Sequence, residues 1–199
     1  MTVTFLVSLL LAAEPPFEVV ETVDGITIES RPVQGSSVVE LRLTTTTTAS
    51  IDRLCDEAFG KGTLDPEEPN LKARTIVESK PDERVTYDQV SAPVVSDRDY
   101  AVRATRQHLP DGSCVMRFEA ANDKAPPLPK GFVRITKLKG EYRFEPGPGG
   151  KNKMTYLIHS DPGGSVPAFV VEGTRRKLGV KWVKLISSRA LAPPRDAGT

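Results

Sequence analysis

The sequence predicts an α+β fold in which a curved antiparallel sheet packs against one long C-terminal helix. Two patterns carry this expectation. Between residues 72 and 160 the chain alternates apolar and polar residues in short runs separated by turn-forming clusters, as antiparallel strands do. From Ala168 to about Ala190 it is free of proline and its apolar residues recur at helical spacing.

The 199 residues carry 27 Lys and Arg against 26 Asp and Glu, a formal charge of +1. That balance argues against a general nucleic-acid binder, whose phosphate contacts need a basic excess. The charge is unevenly spread: residues 1–129 hold 13 basic against 21 acidic side chains, and residues 130–199 hold 14 against 5. Length and a hydrophobic content of 38% suit one domain of ordinary size.

In chain order, residues 1–13 read as a leader. Phe5 to Ala13 is an apolar run of signal-peptide length ending in small residues, too short for the roughly 20 residues of a bilayer span. No Lys or Arg precedes it. The expectation is an exported protein if the leader is cleaved and a cytoplasmic one otherwise. The folded domain is expected over 14–190, with a disordered tail at 191–199.

Gly25–Arg31 alternates with period two and reads as a half-buried strand; Ser37–Thr48 follows, ending in β-branched threonines that favour extended chain. Ser50 is an N-cap for a helix whose Ile51, Leu54, Cys55, Ala58 and Phe59 share a face, stopped by Gly60 and Gly62. The strand series is Lys72–Ser79, Arg84–Ser91, Tyr100–Leu109, Cys114–Ala121, Phe132–Phe144 and Lys153–Ser160. Lys80 to Glu83, Leu109 to Gly112 and Glu145 to Gly150 supply turns, and Lys124–Gly131 is a proline-rich loop. Pro167 opens the final helix. Its apolar register changes partway, and Gly179 is expected to mark a bend or a register change. It carries Arg175, Arg176, Lys177, Lys181, Lys184 and Arg189 against the single acid Glu172, a net +5.

Cys55 and Cys114 lack the spacing of a zinc site and are read as unpaired packing residues, although export would permit a disulfide. His108 and His159 have no partner at metal-ligand spacing, and no nucleophile elbow or phosphate-binding glycine loop is present. His159 and Asp161 share a strand face through period alone, so the pair reads as structural. No catalytic constellation, metal or cofactor is expected.

Three patterns then combine. Ser96-Asp97-Arg98-Asp99-Tyr100-Ala101-Val102 opens a strand. Lys130 to Ile135, continuing through Gly140-Glu141-Tyr142-Arg143-Phe144-Glu145-Pro146, reads as a long one. Thr155 to Asp161 runs through Pro162-Gly163-Gly164-Ser165-Val166-Pro167 into the last helix. In this order the set resembles the steroidogenic acute regulatory-related lipid transfer (START) domain family, from about Phe17 to Ala190. Little chain remains for the leading helix of many members.

The resemblance implies a helix-grip fold enclosing an apolar tunnel for one sterol, phospholipid or related molecule. By strand parity the tunnel face is expected to include Val85, Tyr87, Tyr100, Val102, Phe118, Tyr142, Tyr156 and Ile158, closed by Phe169, Val170, Gly173 and Trp182 of the helix. Arg98 and Asp161 are expected to brace the junction, and Arg103, Arg117 and Arg134 to face solvent on the convex side, a lipid headgroup contact or a buried ion pair being the alternatives. Arg175, Arg176, Lys177 and Lys181 are expected to dock on anionic membrane. The protein is expected to be a monomeric, non-enzymatic lipid carrier or sensor. An aromatase/cyclase acting on a polyketide is the enzymatic alternative, and a regulatory ligand-binding module a third.

Overall fold

The computed structural model describes residues 14–193 except 61, 92–95, 165 and 167, and for residues 168 and 169 the backbone only. The expected leader and residues 194–199 of the expected tail lie outside the described residues.

The chain opens on a strand that periodicity did not mark, β1 (Glu18–Val23), because its side chains are exposed on both faces and show no alternation. Asp24 and Gly25 take φ of 52° and 76°, the left-handed geometry of a tight hairpin turn, and return the chain into β2 (Ile26–Arg31). After β3 (Glu40–Thr47) comes α1 (Ile51–Phe59), capped as expected by the Ser50 side chain accepting from the Arg53 N–H. There follow β4 (Leu71–Lys80), β5 (Glu83–Val90), β6 (Asp97–His108) and β7 (Cys114–Ala120). The segment expected as one long strand from Phe132 divides into β8 (Phe132–Arg134) and β9 (Lys137–Pro146). The reason is a change of partner: β8 runs parallel to the start of β6, whereas β9 lies antiparallel between β7 and β10 (Asn152–Asp161). The last element is α2 (Ala168–Leu191).

The ten strands form one sheet ordered β1-β2-β3-β10-β9-β7-β6-β5-β4, with β8 beside β6. Register places inward side chains in rows across it. Leu43, Tyr156, Tyr142 and Met116 form one row; Leu41, Ile158, Gly140, Phe118 and Ala104 form the next. Both helices pack over this face, and Ile26, Ile28, Leu41, Leu43, Leu54, Phe144, Met154, Val183 and Ile186 are among the residues buried together there.

One expectation is corrected at the helices. α2 runs continuously through Gly179, whose missing side chain allows close approach to β3, since a Cβ there would lie 3.0 Å from Leu43 Cδ2. Cys55 of α1 and Cys114 of β7 are not unpaired packing residues. They form a disulfide with Cα atoms 6.1 Å apart, tying the short helix to the sheet. Their pairing depends on which strand α1 crosses, which spacing along the chain does not specify.

Candidate ligand cavity

Between the inward face of the sheet and α2 lie two adjoining chambers of about 240 and 890 Å³. Both touch Glu68, Arg74, Tyr100, Leu138, Tyr156, Ile158 and Trp182, which form the waist where they meet. The smaller chamber is mostly apolar, with Leu71, Val90, Ile135, Val166, Val170, Val171 and Leu178 in its wall. The larger is mixed: Val102, Ala104, Met116, Phe118 and Tyr142 share it with Arg84, Thr86 and Asp88.

An aromatic floor supports the larger chamber. Tyr142 and Tyr156, cross-strand partners, stack with ring centroids 4.3 Å apart, and Phe118 lies 6.0 Å from Tyr142. Phe118 has room because its cross-strand neighbour is Gly140: a Cβ there would sit 2.2 Å from Phe118 Cζ and 2.5 Å from the Leu157 carbonyl oxygen. The backbone oxygen cannot yield as a side chain can. Gly140→Ala is therefore expected to lower stability by about 1–3 kcal/mol, the range for overpacking, and to displace Phe118, read by denaturant unfolding and by the Phe118 ring resonances. Burial raises the ionisation range of all three cavity tyrosines, with Tyr156 pushed up to about 12.

The waist is charged. Arg74 donates through Nε and Nη2 to the two carboxylate oxygens of Asp88 at 2.8 and 2.7 Å, and through Nη1 to Glu68 at 2.9 Å. Asp88 is 1% exposed. Burial opposes the Arg74 charge, but the hydrogen bonds and charge of Asp88, with that of Glu68, outweigh it and hold the guanidinium above its ordinary range. Burial pushes the Glu68 carboxyl upward despite Arg74. The waist thus offers a ligand hydrogen-bonding groups where the apolar smaller chamber meets the mixed larger one.

Of the residues expected from parity, Tyr100, Val102, Phe118, Tyr142, Tyr156, Ile158, Val170 and Trp182 line the chambers. Val85 and Tyr87 do not. On β5 the inward positions are Arg84, Thr86 and Asp88, while Val85 pairs in register with Arg103 and Tyr87 donates its hydroxyl to Asp99 on the outer face. There the 121–135 segment covers the sheet, with Asn122 bonding to Ala101 and Ile135, so an apolar residue can be fully buried without facing the cavity. Gly173 is also outside the lining; α2 meets the smaller chamber through Val170, Val171, Thr174, Arg175, Leu178, Gly179 and Trp182, and the larger through Trp182, Leu185, Ile186 and Arg189. The Phe169 side chain lies outside the described residues. Glu68, Arg74 and Asp88 were missed. Their one signal was a charged Asp88 in mid-strand, and an apolar-face search discards it.

Arg175 corrects the docking set. Its side chain is 11% exposed, paired with Glu172 and donating to the Val39 and Ile158 carbonyls at 2.8 and 3.3 Å. Burial lowers its ordinary range, and its Nε is buried without a partner in the wall of the smaller chamber. Arg176 is half-buried beside Glu21, whereas Lys177 and Lys181 are exposed.

The junction residues act as expected. Arg98 donates to the Pro162 and Gly163 carbonyls at 3.1 and 3.2 Å, and Asp161 accepts from the Gly163 N–H at 3.0 Å. Gly163 and Gly164 have φ of 66° and 73°, a conformation that disfavours any side chain. Arg134, expected in solvent, is instead paired with the fully buried Asp99, and Arg117 is half exposed beside Glu141. His159 is buried 3.0 Å from the Ser36 hydroxyl, and burial with Arg175 and Lys139 lowers its ordinary range, which fits its structural reading.

An open antiparallel sheet closed over a cavity by a long C-terminal helix defines a helix-grip protein. The START domain model matches residues 69–184, and the chain belongs to that family. A STAR-related lipid transfer protein from Xanthomonas axonopodis superposes with a TM-score of 0.78 at 28% identity, covering 88% of this chain and 99% of that one. An uncharacterized protein of Pseudomonas aeruginosa is 34% identical over 86 residues, 43% of this chain and 42% of that protein. Rho GTPase-activating protein 7 of Rattus norvegicus is 32% identical over 103 residues, 51% of this chain but 9% of that protein. The chain thus spans less than half the length of either of these two curated relatives. A weaker likeness in fold, TM-score 0.53 at 14% identity over 80% of this chain and 97% of the other, is to an aromatase/cyclase from Streptomyces.

Proposed function

We propose that the protein binds one lipid or similar hydrophobic molecule in the two-chambered cavity and carries it at membranes. The observation that carries this reading is the cavity itself: a largely apolar smaller chamber that opens through a charged waist into a larger chamber of mixed lining suits an amphiphile with an apolar tail and a hydrogen-bonding group. A 16-carbon chain passing through water costs roughly 12 kcal/mol at about 0.8 kcal/mol per methylene, and direct transfer into an apolar chamber avoids much of that. Ligand passes through displacement of the turn at Pro162, Gly163 and Gly164, which walls the smaller chamber at Pro162 and carries the paired glycines. The protein acts as a monomer. The disulfide supports export through the leader, since such bonds persist in oxidising compartments.

The cavity tyrosines are poor acid–base groups for cyclase chemistry, which would fall to Glu68, the carboxyl that burial moves upward. Proton transfer near neutral pH is most efficient from groups that titrate there, and burial moves these hydroxyls away from it.

Docking through α2 is narrowed to Lys177 and Lys181, with Arg176 at the margin. Each contributes about 1 kcal/mol near an anionic surface. Lys177→Glu/Lys181→Glu is expected to weaken binding to vesicles containing phosphatidylglycerol by about 30-fold or more, and to slow transfer of a fluorescent phosphatidylcholine from them. Pure phosphatidylcholine vesicles should show little change. Equal losses on both vesicle types would remove the docking role, and absence of transfer by the parent protein would remove carriage.

A further inference from the structure

The end of α1 that meets the sheet gathers more than a disulfide. Cys55 and Cys114 are both fully buried, and His108 is the cross-strand partner of Cys114 at the start of the β6–β7 hairpin. The two sulfurs and an imidazole nitrogen all lie within 4.8 Å of one another. Asp52, one turn before Cys55 on α1, places Oδ1 3.6 Å from His108 Nδ1. Three ligand-bearing side chains thus meet from two rigid elements, a helix turn and a hairpin end, with the Asp52 carboxylate beside the imidazole.

We infer that in the reduced protein Cys55, Cys114 and His108 form a zinc-type divalent cation site, with water in the fourth position and Asp52 beside the His108 ring. Bond lengths of about 2.0–2.3 Å in a tetrahedron put neighbouring ligand atoms roughly 3.3–3.8 Å apart, so after reduction the two sulfurs must move apart from their bonded positions while the imidazole is already within reach. Soft thiolates with imidazole select zinc over magnesium or calcium. The side chains of His108 and Asp52 are 51% and 83% exposed, which gives the ion a path from solvent to the buried sulfurs.

Disulfide and metal are mutually exclusive occupants. A phosphine reductant, oxidised to phosphine oxide with oxygen from water, delivers two electrons, and the two water protons complete two thiols. Zinc then displaces both thiol protons and binds the thiolates. Either occupant ties α1 to β7, so α1 stays fastened in an oxidising or a reducing compartment. The inference does not depend on the lipid reading, because none of the four residues lines the cavity.

The test uses the full chain, reduced with a phosphine without oxygen, incubated with one equivalent of zinc chloride, desalted and assayed for metal. About one zinc per reduced chain is expected, with little in the oxidised protein. His108→Ala changes a half-exposed side chain, and its fold is checked by the melting of its oxidised form. It should hold zinc at least tenfold more weakly. Zinc should also raise the melting temperature of the reduced parent protein and not that of His108→Ala. Reduced protein that retains no zinc, or His108→Ala that retains as much as the parent, overturns the inference.

Discussion

Replacing Asp88 by Ala is expected to lower stability by about 3–5 kcal/mol, the cost of leaving a buried guanidinium without its main partner. Asp88 accepts two hydrogen bonds from Arg74 and is nearly inaccessible to water. Glu68 remains beside Arg74, but through a single nitrogen and with a carboxyl that burial already pushes toward its neutral form. Against a domain stability of roughly 5–15 kcal/mol the loss is large. Urea unfolding measures it, and a change below about 1 kcal/mol would contradict the account of the waist. Asp88→Leu/Arg74→Met should recover most of the loss, because removing both charges avoids the desolvation that makes the single variant costly. Glu68 is then expected to take up a proton. The recovered protein would also lack these hydrogen-bonding groups, so it separates the waist's role in folding from its role toward ligand.

Reduction of the disulfide is the second large effect. The bond joins residues 59 apart, and the chain entropy it removes from the unfolded state amounts to about 4 kcal/mol. Reduced, metal-free protein and Cys55→Ser/Cys114→Ser should both unfold at correspondingly lower urea concentration. Local consequences should centre on α1, whose Ala58 and Phe59 wall the larger chamber, so hydrogen exchange there is expected to accelerate before exchange in β9 and β10. A midpoint unchanged by reduction would mean that α1 is held by packing alone.

The legibility of the sequence follows from what each residue senses. Strands β2, β3 and β10 alternate because one face meets the core, and Ser50 announces α1 by a local hydrogen bond. Such signals depend only on neighbours in the chain. β1 gave none, being exposed on both faces. The division between β8 and β9 is set by partners distant in sequence. The cavity was readable where apolar faces and cavity faces coincide, as at Tyr142, Tyr156 and Ile158. It was not readable on β5, where the buried apolar side is covered by the 121–135 segment and the cavity side is polar. Arg175 looked like part of a solvated basic run; its burial arises from carbonyls of β10 and of the chain before β3 that only the fold brings to α2.

The uneven charge of the sequence is also reassigned by the structure. Arg175, Arg176, Lys184 and Arg189 on α2 pair with Glu172, Glu21, Asp24 and Glu67, so much of the helix's +5 is compensated within the fold. What remains outward is confined to one stretch containing Lys177 and Lys181.

The central claim is that a hydrophobic molecule occupies the chambers. Native mass spectrometry of the protein isolated from its own host, beside Val102→Trp prepared in the same way, tests it most directly. Val102 lines the larger chamber, and an indole there fills space a ligand would need without adding charge. The expected result is a bound apolar compound on the parent protein, extractable into organic solvent, and its loss from a Val102→Trp protein that keeps its fold by circular dichroism. A parent protein carrying no such compound, or a folded Val102→Trp carrying the same compound in the same amount, would contradict the claim.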